Sequence, residues 1–241
     1  MSAPKSNSLY PFFDYCLQNR LPFALYRLPE TNVIQVIAQK HNKLIKLSKG
    51  QDISAKKGFL FAPFQEDENY RRLLISPDIF TTADKLPALT FAGKTPKAES
   101  AETRIVKLKE ATKQQYIVYV KNIQLNIKKG TFKKVVAARV VKKKKPGSFN
   151  AISFFETLCE KYPAAFTSLV YTPLYGLWIG ATPEILLQVD NTGFKTYSLA
   201  GTKANTTQNA NNAWGQKEKE EQKIVSRYVS DAFKKVTRNK P

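Results

Sequence analysis

Residues 162–183 read YPAAFTSLVYTPLYGLWIGATP, 22 consecutive positions without a charge. A run of that length could cross a bilayer as one helix. Pro163, Pro173, Gly176, Gly180 and Pro183 interrupt it at intervals that suit turns instead. With period 2 the run divides into two strands, Ala165–Thr172 and Leu174–Gly180, joined at Thr172-Pro173. The expected element is a buried hairpin, not a membrane span.

Working outward, residues 8–19 (SLYPFFDYCLQN) predict a short helix, and 23–27 and 32–38 a second hairpin. Further strands are expected at 58–65 and 71–76, and a Pro/Ala/Lys/Thr-rich linker from Asp84 to Thr103. Thr112 and Gln115 form a capping box, with Tyr116, Val120, Ile123 and Ile127 as the apolar stripe of the helix that follows and Gly130 at its C-terminal cap. Residues 132–141 (FKKVVAARVV) predict a strand, and 149–160 a helix led by Ser148. Beyond the central hairpin, strands at 184–189 and 194–200 precede a polar loop over 204–213. A long helix then runs from about 215 to 236, with Ile224, Val225, Tyr228, Val229, Phe233 and Val236 on one side. Consecutive strands flanked by helices, without regular βα alternation, give an α+β class with mostly antiparallel sheets. The expected division is a strand-rich part over 1–104 and a second part over 105–241. The last helix needs a cover for its apolar stripe, so the fold is expected to continue beyond Pro241.

Composition narrows the chemistry. Among 241 residues, 39 Lys and Arg against 19 Asp and Glu give a net charge of +20, while 42% apolar content provides for a sizeable core. His41 is the single histidine, which excludes a His-rich metal site and the HExxH motif. The ten glycines build neither GxGxxG nor a P-loop. Cys16 and Cys159 are too few for a disulfide framework and suit a reducing cytoplasm, and Met1–Ser8 lacks the apolar core of a secretory signal. The densest basic run, Lys142 to Lys145, ends in Pro146-Gly147 and reads as a solvated loop. No RNP motif, zinc finger or basic zipper accompanies it, so nucleic acid is not the expected partner and the charge supports anionic partners in general, including small acidic substrates.

Three side chains break their local pattern. Period 2 over 132–141 puts Lys134 at the head of a face with Val136, Ala138 and Val140. Such a lysine either snorkels to solvent or sits partly desolvated, with a lowered pKa, as a base. Glu184 follows Gly180-Ala181-Thr182-Pro183 and opens the apolar run Ile185-Leu186-Leu187. It is either a surface turn residue or an acid with a raised pKa. Glu221 precedes Val225 by four residues and Tyr228 by seven, on the stripe of the last helix. There it either reaches solvent at the stripe's edge or takes a divalent cation or a lysine as partner.

Four motifs then carry a resemblance. Phe132–Arg139 (FKKVVAAR) resembles the K-V-V-L-x-R strand of chorismate-utilising enzymes, and 178–187 (WIGATPEILL) their G-A-[ST]-P-E-x-L-L segment. Leu199-Ala200-Gly201-Thr202 resembles their L-A-G-[ST] turn, and 217–225 (KEKEEQKIV) their K-[DE]-x-x-E-H-x-x-V helix. Order and spacing also agree, with 50 residues from Lys134 to Glu184 and 17 from Glu184 to Gly201. The resemblance implies the antiparallel α+β fold of the chorismate-binding (ADC synthase-like) family, here incomplete. It implies isochorismate synthase activity, with a place in menaquinone or siderophore biosynthesis; salicylate synthase, which shares the lysine, is the alternative within the family. Lys134 would activate the water that attacks C2 of chorismate, and Glu184 would protonate the departing C4 hydroxyl. Gly201 and Thr202 would approach the substrate, and Glu221 would hold Mg²⁺. Ala137 stands in place of the usual Leu, Gln222 in place of the His after the metal glutamate, and Lys203 where the family continues toward an arginine. The family's HL motif, carboxylate clamp and second metal glutamate are expected beyond Pro241, so residues 1–241 alone are expected to be inactive. Outside this family, a basic anion- or nucleic-acid-binding module without catalysis is the competing class; its mark would be a steep loss of DNA affinity with salt.

Overall fold

The structure, a computed structural model, describes residues 9–86, 110–204 and 214–238. Most of the Asp84–Thr103 linker and of the 204–213 loop lies outside these residues. The chain groups into two compact units, one of residues 1–107 and 145–183, the other of 108–144 and 184–241.

The first unit is built on five antiparallel strands in the order β6-β2-β1-β7-β8. These are β1 (Phe23–Arg27), β2 (Ile34–Ala38), β6 (Ile79–Thr82), β7 (Phe166–Thr172) and β8 (Gly176–Thr182). Both predicted hairpins are present: β1 pairs β2 from Phe23↔Ala38 to Arg27↔Ile34, and β7 pairs β8 from Phe166↔Thr182 to Thr172↔Gly176. Because β1 also pairs β7, strands from before and after position 104 share one sheet. Period 2 sorts its faces. Phe23, Leu25, Val36 and Leu169 pack with Leu9, Phe12 and Cys16 of α1 (Leu9–Gln18) and with Ile152 and Phe155 of α3 (Ala151–Lys161). Ala24, Ile37 and Val170 face the other way, onto Ile75, Phe59 and Phe61. Those residues belong to a small antiparallel sheet of β3 (Ile45–Lys46), β5 (Leu73–Ile75) and β4 (Phe59–Phe61). The result is the antiparallel α+β arrangement expected, in three layers.

Two local expectations need correction. The helix α3 is capped by Asn150, whose side chain accepts from the Ser153 amide, and not by Ser148. Only β7 of the central hairpin is buried; β8 forms the sheet edge, with Trp178 54% exposed. An edge strand has covered neighbours on one side only. No helix among the described residues is long and apolar enough to cross a membrane.

In the second unit α2 (Lys113–Lys128) begins at the predicted capping box, with both reciprocal bonds between Thr112 and Gln115. It ends in a Schellman motif: Gly130 adopts φ +77°, its amide donates to the Ile127 carbonyl, and the Thr131 amide donates to Asn126. The strand expected over 132–141 does not form. These residues have no strand partner among the described residues and lie against α2 instead: Ala138, Arg139 and Val140 line one cavity with Tyr116 and Tyr119, and the Arg139 guanidinium stands 5.4 Å from the Tyr116 ring centre. The predicted alternation fails with it, leaving Val136 79% exposed. The strands expected at 184–189 and 194–200 shorten to β9 (Gln188–Asp190) and β10 (Gly193–Lys195), a small hairpin. The last helix is α4 (Gln216–Arg238). Its covered side is Glu218, Glu221, Gln222, Ile224, Val225, Val229 and Phe233, whereas Tyr228 is 75% exposed. The Val236 side chain lies outside the described residues.

Arg27 carries much of the first unit's order. It is 2% exposed, and its two terminal nitrogens donate to the carbonyls of Leu28, Thr31, Tyr162, Pro163 and Ala165. One guanidinium thereby closes the turn between α3 and β7. Arg27→Met should lower the unfolding free energy by about 3 kcal/mol or more, since buried acceptors lose their donors. Arg27→Lys should recover little, because an ammonium lacks the planar fork. Chemical denaturation measures both; a loss below about 1 kcal/mol for Arg27→Met would mean that water satisfies those carbonyls.

Candidate active site

The sequence motifs of the second unit meet on α4. After β10 the chain runs extended over 196–200, with Thr196, Ser198 and Ala200 partly covered and Tyr197 and Leu199 exposed. That alternation brings small side chains toward the helix. Phe194 stacks on Phe233 at 4.8 Å between ring centres and 5° between planes, and the Ser198 and Ser226 hydroxyls are 2.9 Å apart. Gln222 bonds both edges of the segment: its Nε2 donates to the Ser198 carbonyl at 2.6 Å and its Oε1 accepts from the Ala200 amide at 3.1 Å. Gly201 follows at the closest approach. A Cβ there would stand 3.2 Å from the Glu218 carbonyl oxygen, tighter than almost any real Cβ contact. In this structure the close approach that a glycine permits is made to the backbone of α4. Thr202 is exposed, and the Lys203 ammonium lies 5.8 Å from the Trp214 ring centre.

Lys134 and Glu221 are brought together. The Lys134 Nζ lies 2.9 Å from Glu221 Oε1, with the side chains 25% and 30% exposed. Between Glu110 and Lys144 ten Lys and Arg accompany one acidic residue. Among the described residues Lys134 is the only one of those ten in an ion pair. One of the two partners expected for Glu221, a lysine, is supplied by Lys134. Glu184 is exposed, where the chain leaves β8 through Pro183, and is not part of this pair.

A metal ion can be tested against these donors. No group of three His, Cys, Asp or Glu side chains able to hold one occurs among the described residues. Glu221 nevertheless offers hard anionic oxygens, is partly open to solvent, and already holds a cation in the form of the Lys134 ammonium. Such a carboxylate fits Mg²⁺, which takes one or two protein carboxylates and completes its shell from waters and substrate oxygens.

Sequence reading missed what Gln222 does. Its position was marked only by the absence of the family's histidine; the available signal was a neutral donor–acceptor group beside Glu221 on a covered helix face. The ion pair yields a prediction. In a double-mutant cycle of Lys134→Met and Glu221→Gln, the coupling energy should reach about 1 kcal/mol, the upper end for partly exposed pairs, and should shrink in about 1 M salt. Additive single effects would show that the pair contributes nothing.

A family model described as chorismate binding enzyme matches residues 72–240, a span that includes Lys134, Glu184, Gly201, Thr202 and Glu221. No curated protein and no solved structure matches the chain. The match covers well over half of the sequence, and the chain belongs to the chorismate-binding enzyme family.

Proposed function

We propose that the chain carries the acid and base of an isochorismate-forming site. The observation that supports this most is the Lys134–Glu221 contact, which joins two motifs 87 residues apart in sequence. In this reading Lys134 takes a proton from water as the oxygen bonds to C2 of chorismate. The ring double bonds shift, the C4–oxygen bond breaks, and Glu184 donates the proton with which the hydroxyl departs as water. Water enters and water leaves, so the reaction is a net isomerisation. Glu221 would hold Mg²⁺, which when bound neutralises and orients the substrate's carboxylate. Gly201 and Thr202 would lie beside the ring, Gly201 drawn against α4 because it lacks a Cβ. The surplus of cations between Glu110 and Lys144 also raises the local concentration of an anionic substrate.

Incubating the natural gene product with chorismate and Mg²⁺, then separating products by chromatography, tests the reading. Isochorismate is expected; salicylate as the sole product, or unchanged chorismate, would overturn it. Lys134→Ala should lower turnover by about 10² to 10⁴ while chorismate still binds. Glu184→Gln preserves shape and hydrogen bonding but has no proton to give, so it should bind chorismate without converting it. Turnover above about a tenth of wild type in Lys134→Ala would assign that lysine to the surface.

A further inference from the structure

The inference rests on the reading of the site just given. Gln222 follows Glu221 on the covered side of α4, and both ends of its carboxamide are used. The Nε2 donates to the Ser198 carbonyl at 2.6 Å and also reaches the hydroxyls of Ser198 and Ser226 at 3.3 and 3.2 Å. The Oε1 accepts from the Ala200 amide at 3.1 Å. Ser198 and Ala200 are alternate residues of an extended stretch, so the side chain completes their backbone bonding as an adjacent strand would. One residue later Gly201 rests against Glu218, one helical turn before Gln222. Two successive turns of α4 therefore fix the stretch that leads into Thr202, and the same two turns present Glu221.

We propose that Gln222 is a positioning residue: its carboxamide sets where the Gly201–Thr202 turn stands relative to Glu221, so that the substrate-facing backbone and the metal-binding carboxylate keep one geometry. The chemistry requires a neutral group with a donor and an acceptor. A carboxylate has no hydrogen for the Ser198 carbonyl, an ammonium has no lone pair for the Ala200 amide, and an alkyl chain has neither. Without the clamp the turn remains attached to the chain, but its distance from Glu221 is no longer fixed.

Three variants test this in the natural gene product. Gln222→Met keeps the length and removes both bonds. Gln222→Glu keeps the acceptor and sets a negative oxygen against the Ser198 carbonyl. Gln222→His supplies one donor and one acceptor on its neutral ring. Amide exchange at Ala200 should accelerate about tenfold in the Met variant, the equivalent of one hydrogen bond. Its kcat/KM for chorismate should fall about 10- to 100-fold, as expected for a misplaced contact, while the unfolding midpoint moves little. The Glu variant should fare no better, and the His variant should regain part of kcat/KM. If wild type converts chorismate and Gln222→Met keeps the same kcat/KM, the positioning role is wrong and the function stands. If wild type leaves chorismate unchanged, the function falls; unaltered Ala200 exchange in the Met variant overturns the clamp whatever the substrate.

Discussion

A lysine ammonium 2.9 Å from a glutamate oxygen is a polar link between the two stretches of chain that form the second unit. Lys134 belongs to the stretch that follows α2, and Glu221 to the second turn of α4. Neither stretch builds a large core: α2 contains no buried residue, and the 132–141 segment has no strand partner. Where burial is shallow, directional contacts decide geometry. The ion pair, the stacking of Phe194 on Phe233 and the Gln222 bonds supply that direction.

The same contacts order the charges. Glu221 is an acidic residue in a strongly basic chain, and it attracts a cation from its own polypeptide. In the proposed reading a divalent ion at that carboxylate would displace Lys134 or share the carboxylate with it, so the proposed base and metal ligand would be coupled by proximity. Gly201, held against Glu218, and Thr202 beside it stand within two helical turns of the same carboxylate. The first unit is ordered by its own sheet and by the buried Arg27, and it ends in sequence at Pro183, after β8.

Much of this was legible in the sequence where local rules and tertiary partners agree. The hairpin of β7 and β8 follows from proline and glycine spacing, and the Thr112–Gln115 box with Gly130 marks both ends of α2. The failures share one physical cause: period 2 records a stretch's preference for extended backbone, but a strand also needs a neighbour. FKKVVAARVV has the preference and lies on a helix instead; residues 184–187 and 196–200 likewise stay outside the short strands β9 and β10. Lys134 and Glu221 were legible separately as misfits on apolar faces, yet nothing local could pair them across 87 residues. Gln222 was least visible, because a glutamine's bonding to backbone leaves no periodic trace.

The central claim is that Lys134, Glu221 and the Gly201–Thr202 turn form one ligand site. Titrating chorismate and Mg²⁺ into isotope-labelled protein and following backbone amide resonances tests it most directly. Saturable shifts should concentrate on residues 199–203, the first turns of α4 and Lys134. Shifts confined to other parts of the chain, or none across the titration, would contradict the account.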